Sequence, residues 1–196
     1  IDEELNDVSY SVTDGSIRVE KDVPITLVDM SIYTKPSKVT YYIGDILNTT
    51  GLKLRLEYSD GTYEYVTTGF TTSGFSSSTA GTKMVTVSYQ GFTDTFTVTV
   101  ETPRISPSSG NILITLDIGE TCTITAITTP KDQMVIWSSA DTRVATVSNG
   151  TITAKSYGTT TITLEFTYNG ITYSNVCTVT VTSGTYTINY DANGGS

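Results

Sequence analysis

Apolar and polar residues alternate with a period of two along most of the chain. The clearest case is LKLRLEY, residues 52–58: Leu52, Leu54, Leu56 and Tyr58 point one way, and Lys53, Arg55 and Glu57 the other. That pattern predicts a strand with one buried and one wet face. Asp60-Gly61 follows, a pair that supplies the positive φ angles of a tight hairpin, and TYEYV returns. Residues 84–89 (MVTVSY) and 95–100 (TFTVTV) face each other across QGFTD. Farther on, TCTITAITTP reads as a strand ended by Pro130, with short strands in VIWSS and VATVS. Asn149-Gly150 closes a hairpin into TITA, and Asn169-Gly170 turns TTTITLEFTY into ITYSNVCTVTV. Strand and turn signals thus recur about every 8–12 residues, the spacing of an all-β sandwich or barrel.

The alternation breaks at ETPRISP. Pro103 has no amide hydrogen for a ladder, so the boundary between two halves falls there. The 196 residues suit two small domains. Residues 1–28 hold a hairpin turning at Asp14-Gly15, or the end of a preceding module. Residues 183–196 read as one strand and a Gly-rich turn, part of a following repeat. The acidic opening IDEELNDVSY is unlike the basic start of a secretory signal, so the chain reads as a segment of a longer protein.

Composition narrows the functions. Threonine supplies about a fifth of the residues, with 13 Tyr, all favouring strands. Eleven Lys and Arg against 20 Asp and Glu give a net charge of −9. That is the wrong sign for neutralising phosphates or approaching an anionic membrane, so neither nucleic acid nor membrane is expected as a partner. The chain has no His. Ser-His-Asp and Cys-His catalysis therefore have no base. The carboxylates stand singly on turns and outward positions, such as Asp60 and Asp141, which predicts no enzyme, no cofactor and no metal site.

Three features remain as candidates. Cys122 and Cys177 both lie on the apolar side of alternating strands, so a disulfide and two free thiols are both open. Tyr41, Tyr42, Tyr63 and Tyr65 gather in the first half. They are candidate ligand contacts for stacking sugar rings, against the alternative of cross-strand aromatic pairing. Trp137, the only Trp, follows Val135 and Ile136 in a short strand read as central. It is expected to be a structural pin of the core.

Several spaced elements carry a family resemblance. Ile105 and Pro107, GE at 119–120, TP at 129–130, WSSAD at 137–141, VATVSNGTITA at 144–154 and GTTTIT at 158–163 resemble the group 2 bacterial immunoglobulin-like domain over about 102–182. Pro36, YYIGD at 41–45, TGLKLRLEYSDGT at 50–62, STAGTKMVTVSY at 78–89 and DTFTVTV at 94–100 resemble the group 3 domain over 29–101. The tail YTINYDANGG resembles the opening strand of internalin-type B repeats. These resemblances imply two tandem immunoglobulin-like β-sandwiches joined by a short linker, in a Gram-positive cell-surface or secreted protein. They imply a monomeric, non-catalytic spacer whose partners are neighbouring modules of the same polypeptide. The alternatives are an adhesin or carbohydrate-binding module meeting host or cell-wall glycans or proteins, or an accessory module of an extracellular glycan-degrading enzyme.

Overall fold

The structure is a computed structural model that describes residues 8–21, 23–108, 110 and 113–184. It is all-β, with no helix among the described residues. The tail YTINYDANGG, residues 186–195, lies outside the described residues. Two compact units make up the chain. One comprises Ile1–Val39, Leu47–Phe75 and Thr82–Val98, and the other Thr40–Ile46, Ser76–Gly81 and Thr99–Ser196.

The strands are β1 (Val8–Thr13), β2 (Ser16–Lys21), β3 (Leu27–Thr34), β4 (Thr40–Tyr42), β5 (Lys53–Tyr58), β6 (Tyr63–Val66), β7 (Thr71–Ser73), β8 (Gly81–Tyr89) and β9 (Phe92–Glu101). The second half holds β10 (Arg104–Pro107), β11 (Leu113–Asp117), β12 (Thr121–Thr123), β13 (Ala126–Thr129), β14 (Ile136–Ser139), β15 (Ala145–Ser148), β16 (Thr151–Ala154), β17 (Gly158–Tyr168) and β18 (Ile171–Thr182). β1 and β2 form a separate hairpin. The first half has sheets ordered β3-β5-β6 and β4-β9-β8-β7, and the second β11-β18-β17-β14, β12-β16-β15 and the pair β10-β13.

Burial follows the alternation. Leu54 and Leu56 of β5, Val85 and Val87 of β8, and Phe96 and Val98 of β9 are buried, while the residues between them face outward or lie at the margin. In the second half Ile162, Leu164 and Phe166 of β17 meet Cys177, Val179 and Val181 of β18 in one core with Ile152 and Ala154. The outward side of β17 and β18 is mostly threonine. Thr159 stands opposite Thr180, Thr161 opposite Thr178 and Thr167 opposite Thr172. Branched side chains suit a pleated wet face, which explains much of the composition.

Turn chemistry sets the registers. Asn149-Gly150 (φ 47° and 82°) and Asn169-Gly170 (φ 48° and 79°) close two-residue hairpins, Ser148 pairing with Thr151 and Tyr168 with Ile171. These are the left-handed angles that match strand twist. Two turns differ from expectation. Only Gly61 of Asp60-Gly61 has positive φ, and the loop is longer: Tyr58 N–H donates to Thr62 O, and Asp60 accepts from both the N–H and the hydroxyl of Thr62. The Asp side chain does there what a second left-handed residue does elsewhere. The β8–β9 turn is Gln90-Gly91 (φ 45° and 91°), two residues rather than the longer QGFTD. Glutamine rarely takes that angle, so the sequence hides it.

Gly150 has a second duty. A Cβ there would lie 2.2 Å from the Ile124 carbonyl oxygen and 3.3 Å from Trp137 Cζ2, whereas one at Gly170 would meet nothing within 4 Å. Both turns need left-handed φ, so the pair separates backbone strain from a clash. Gly170→Ala is expected to cost about 1 kcal/mol, as left-handed strain alone does. Gly150→Ala should cost at least about 3 kcal/mol, because the Ile124 backbone just past β12 must also move. Equilibrium urea unfolding of both variants checks this; equal losses would contradict it.

Candidate functional site

The four candidate tyrosines do not form one site. Tyr41 is 0% exposed. β4 runs parallel to β9 with Tyr41 opposite Val100, itself buried, so strand parity turns Tyr41 inward. Its expected ligand role is thereby corrected, because no sugar reaches a buried ring. Tyr42, one residue on, takes the opposite side and meets Tyr168 edge-to-face at 5.8 Å.

Tyr63 and Tyr65 do share an outward face of β6, 5.6 Å apart at 73°. The structure adds Tyr33 of β3, which sits at a register shift between Ile32 and Thr34 that no local pattern marks. Its ring lies 4.6 Å from Tyr65 at 52°. Tyr33, Tyr63 and Tyr65 are 58%, 57% and 39% exposed. Cations from β5 cover their faces. Lys53 Nζ lies 4.5 Å from the Tyr65 centroid and 5.6 Å from that of Tyr33, and the Arg55 guanidinium 4.9 Å from Tyr63. Each exposed cation–π contact is worth about 0.5–1 kcal/mol. Arg55 also pairs with Glu57 at 3.0 Å, a surface ion pair of small net value. Burial and neighbouring Tyr33 push the Tyr65 hydroxyl above its ordinary range. Tyr58 donates to the Glu64 carboxylate, which with partial desolvation pushes it up to about 12. The rings are tilted and capped, so they form a cross-strand aromatic cluster rather than a coplanar platform.

Trp137 corrects the expectation of a central strand. β14 is the edge of its four-stranded sheet, bonded to β17 alone. Trp137 is half-buried and packs against the core cluster beside Gly150. Its neighbour Ile136 is exposed, as period-two alternation requires. Cys122 and Cys177 are both free thiols, Cys122 half-buried and Cys177 buried.

The remaining polar constellations are structural. Asp141 accepts from Arg143 N–H (2.9 Å), Nε (3.0 Å) and Nη2 (2.9 Å), while its own N–H donates to Thr160 Oγ1 at 2.9 Å. The Arg143 side chain holds the Asp141 carboxyl below its ordinary range. In the second unit Asp45 accepts from Tyr168 Oη at 2.7 Å, Tyr42 N–H at 3.1 Å and Asn169 Nδ2 at 3.2 Å. A concavity of about 400 Å³ lies beside Ala126, Thr128, Lys131, Gln133 and Val135. Its Gln133 donates to Lys131 O and to Thr128 Oγ1, so these groups bond within the loop instead of converging on a ligand. No group of three His, Cys, Asp or Glu side chains is placed to hold a metal among the described residues.

Residues 34–100 match the bacterial Ig-like domain (group 3), and residues 100–166 the bacterial Ig-like domain (group 2). Two bacterial Ig-like domains stand in tandem. The chain is 42% identical over 78 residues to an exo-β-1,6-galactobiohydrolase of Bifidobacterium longum subsp. longum, covering 37% of this chain and 5% of that protein. It is 35% identical over 81 residues to pectate lyase L of Thermoclostridium stercorarium, covering 41% and 6%. The chain thus spans a small fraction of the curated relatives it matches. Among solved structures, the S-layer protein SbsC is similar over 90% of this chain and 31% of its own, at 19% identity and a TM-score of 0.43.

In the group 2 domain the WSSAD and VSNG elements have physical roles: Asp141 ties its turn to β17 through Thr160, and Gly150 leaves room for Trp137. The sheet runs on past the matched residues to Thr182.

Tyr168 offers a pH test. Burial, then the hydrogen bond to Asp45, pushes its hydroxyl up to about 12 from an ordinary 10.0. The native state therefore favours the neutral phenol. That contribution is complete below pH 10.0 and is lost as pH rises towards about 12. Tyr168→Phe should cost about 1 kcal/mol at neutral pH. It should also flatten the fall in stability across that alkaline window; an unchanged slope in chemical unfolding would contradict the assignment.

Proposed function

We propose that the two domains are non-catalytic spacer modules of a multimodular cell-surface or secreted protein of a Gram-positive bacterium. The observation that carries the reading is the direction of the terminal strands. β11 runs parallel to β18, Leu113 opposite Thr178 and Asp117 opposite Thr182. Tension enters at the start of the domain and leaves beyond Thr182. β10, antiparallel to β13, peels first. The force then pulls β11 and β18 along their length in opposite directions. All bonds of that ladder bear load together, whereas an antiparallel pair pulled from adjacent ends opens one bond at a time. β4 lies parallel to β9 in the same sense, Thr40 opposite Thr99. The relatives support the reading too. Each shared stretch is about one module long within a far larger protein, as expected of a unit reused beside different neighbours.

A second reading, a glycan-binding or adhesive module, rests on the exposed Tyr33, Tyr63 and Tyr65. The names of the two relatives extend it to an accessory module of an extracellular glycan-degrading enzyme. The cations over those rings favour the spacer reading.

Proline at Thr115 and at Leu116, as separate variants, tests the spacer. Adjacent strand residues aim their N–H groups at opposite sides, so one of the two substitutions removes a β11–β18 bond. In single-molecule pulling of the whole chain, that variant should lower the unfolding force of one of two events and leave the other unchanged. Unchanged force in both variants would remove the claim. On a glycan array the wild-type chain is expected to be silent. Binding that is lost in a Tyr63→Ala, Tyr65→Ala double variant would establish the second reading instead.

A further inference from the structure

We infer that Cys122 and Cys177 form a cross-link site between the two larger sheets of the second half, closed by a low-molecular-weight disulfide oxidant. Cys122 is on β12 and Cys177 on β18, strands of different sheets. Cys122 stands opposite Ile152, and Cys177 opposite Ile162. Ile152 and Ile162 are fully buried in the same core, against which Cys122 packs and to which Cys177 belongs. Both thiols thus point into one interior from facing sheets. They are also close enough to interact electrically: burial pushes the Cys177 thiol up, and Cys122 adds to the shift.

Their environments divide the roles. Cys122 is half-buried and reachable, while Cys177 is sealed. The Cys122 thiolate attacks one sulfur of the oxidant, forming a mixed disulfide and releasing one thiolate. Cys177 then attacks Cys122 Sγ, its proton passing to the departing small-molecule sulfur, which leaves as the second thiol. Two protein thiols are oxidised by two electrons, and one small disulfide is reduced to two thiols. The bond closes a loop of 55 positions, from 122 to 177. It includes β12 through β17 and β18 as far as Cys177, which carry most of the core, leaving Ile105, Leu116, Val179 and Val181 outside. The chemistry stands without the spacer reading. Where that reading holds, the bond keeps the loop from extending after the β11–β18 ladder fails, withholding about 180 Å at about 3.3 Å per residue.

The test equilibrates the full chain in a glutathione redox buffer, once folded and once in concentrated urea, followed by acid quench, alkylation and intact mass. Unfolding and refolding in the same buffer removes any limit from access to Cys177. A bond that fits the native interior should close at least about tenfold more completely in the folded chain, since cross-linking and folding are linked. The product should be two hydrogens lighter, and Cys122→Ser or Cys177→Ser should abolish it. Closure no greater when folded than in urea would overturn the inference. So would a stable glutathione adduct on Cys122, or two alkylated thiols after refolding.

Discussion

The inward row of alternate side chains, held in register by left-handed two-residue turns, is the constraint on which the rest of the molecule depends. A slip of one residue would send Ile162, Leu164 and Phe166 into water and bring threonines into the core. Asn169-Gly170 forbids that slip by pairing Tyr168 with Ile171. The parallel β11, the half-buried Trp137 and the buried Cys177 all take their places from β17 and β18. A domain of this size has a small core with little margin, so turn residues matter as much as packing.

The same parity makes the polar surface useful. Threonines alternate with Ile, Leu, Phe and Val on β17 and β18, so their outer face is mostly short branched hydroxyls, with Leu113, Ile136 and Val176 exposed singly among them. A surface of that kind can stand beside other modules without adhering to them. Carboxylates are spent on turns, as at Asp60 and Asp141, or on the Asp45 cluster. What the chain offers mechanically is a set of ladders whose direction relative to load differs: β10–β13 and β17–β18 antiparallel, β11–β18 parallel.

Much of this was legible in the sequence, because period two and Asn-Gly are local signals. LKLRLEY and TTTITLEFTY announced their buried faces, and both Asn-Gly hairpins stand where the alternation put them. Non-local features were hidden. Tyr41 and Tyr42 look alike in YYIGD, and only the register with β9 shows which one is buried. Tyr33 joins Tyr65 through an irregularity in β3 that no propensity marks. Trp137 lies in a short apolar run that suits a central or an edge strand equally, and sheet order decides between them. Parallel pairing of β11 with β18 joins segments more than 60 residues apart, and nothing local encodes it.

Pulling one domain in two directions shows whether its terminal strands are arranged to bear load. Attachment at residues 102 and 182 loads the parallel β11–β18 ladder in shear. Attachment at 158 and 182 pulls at the open end of the antiparallel β17–β18 hairpin, where Gly158 faces Val181, and unzips it. The unfolding force should be markedly higher in the first geometry than in the second. Equal forces, or a lower force end to end, would contradict that arrangement.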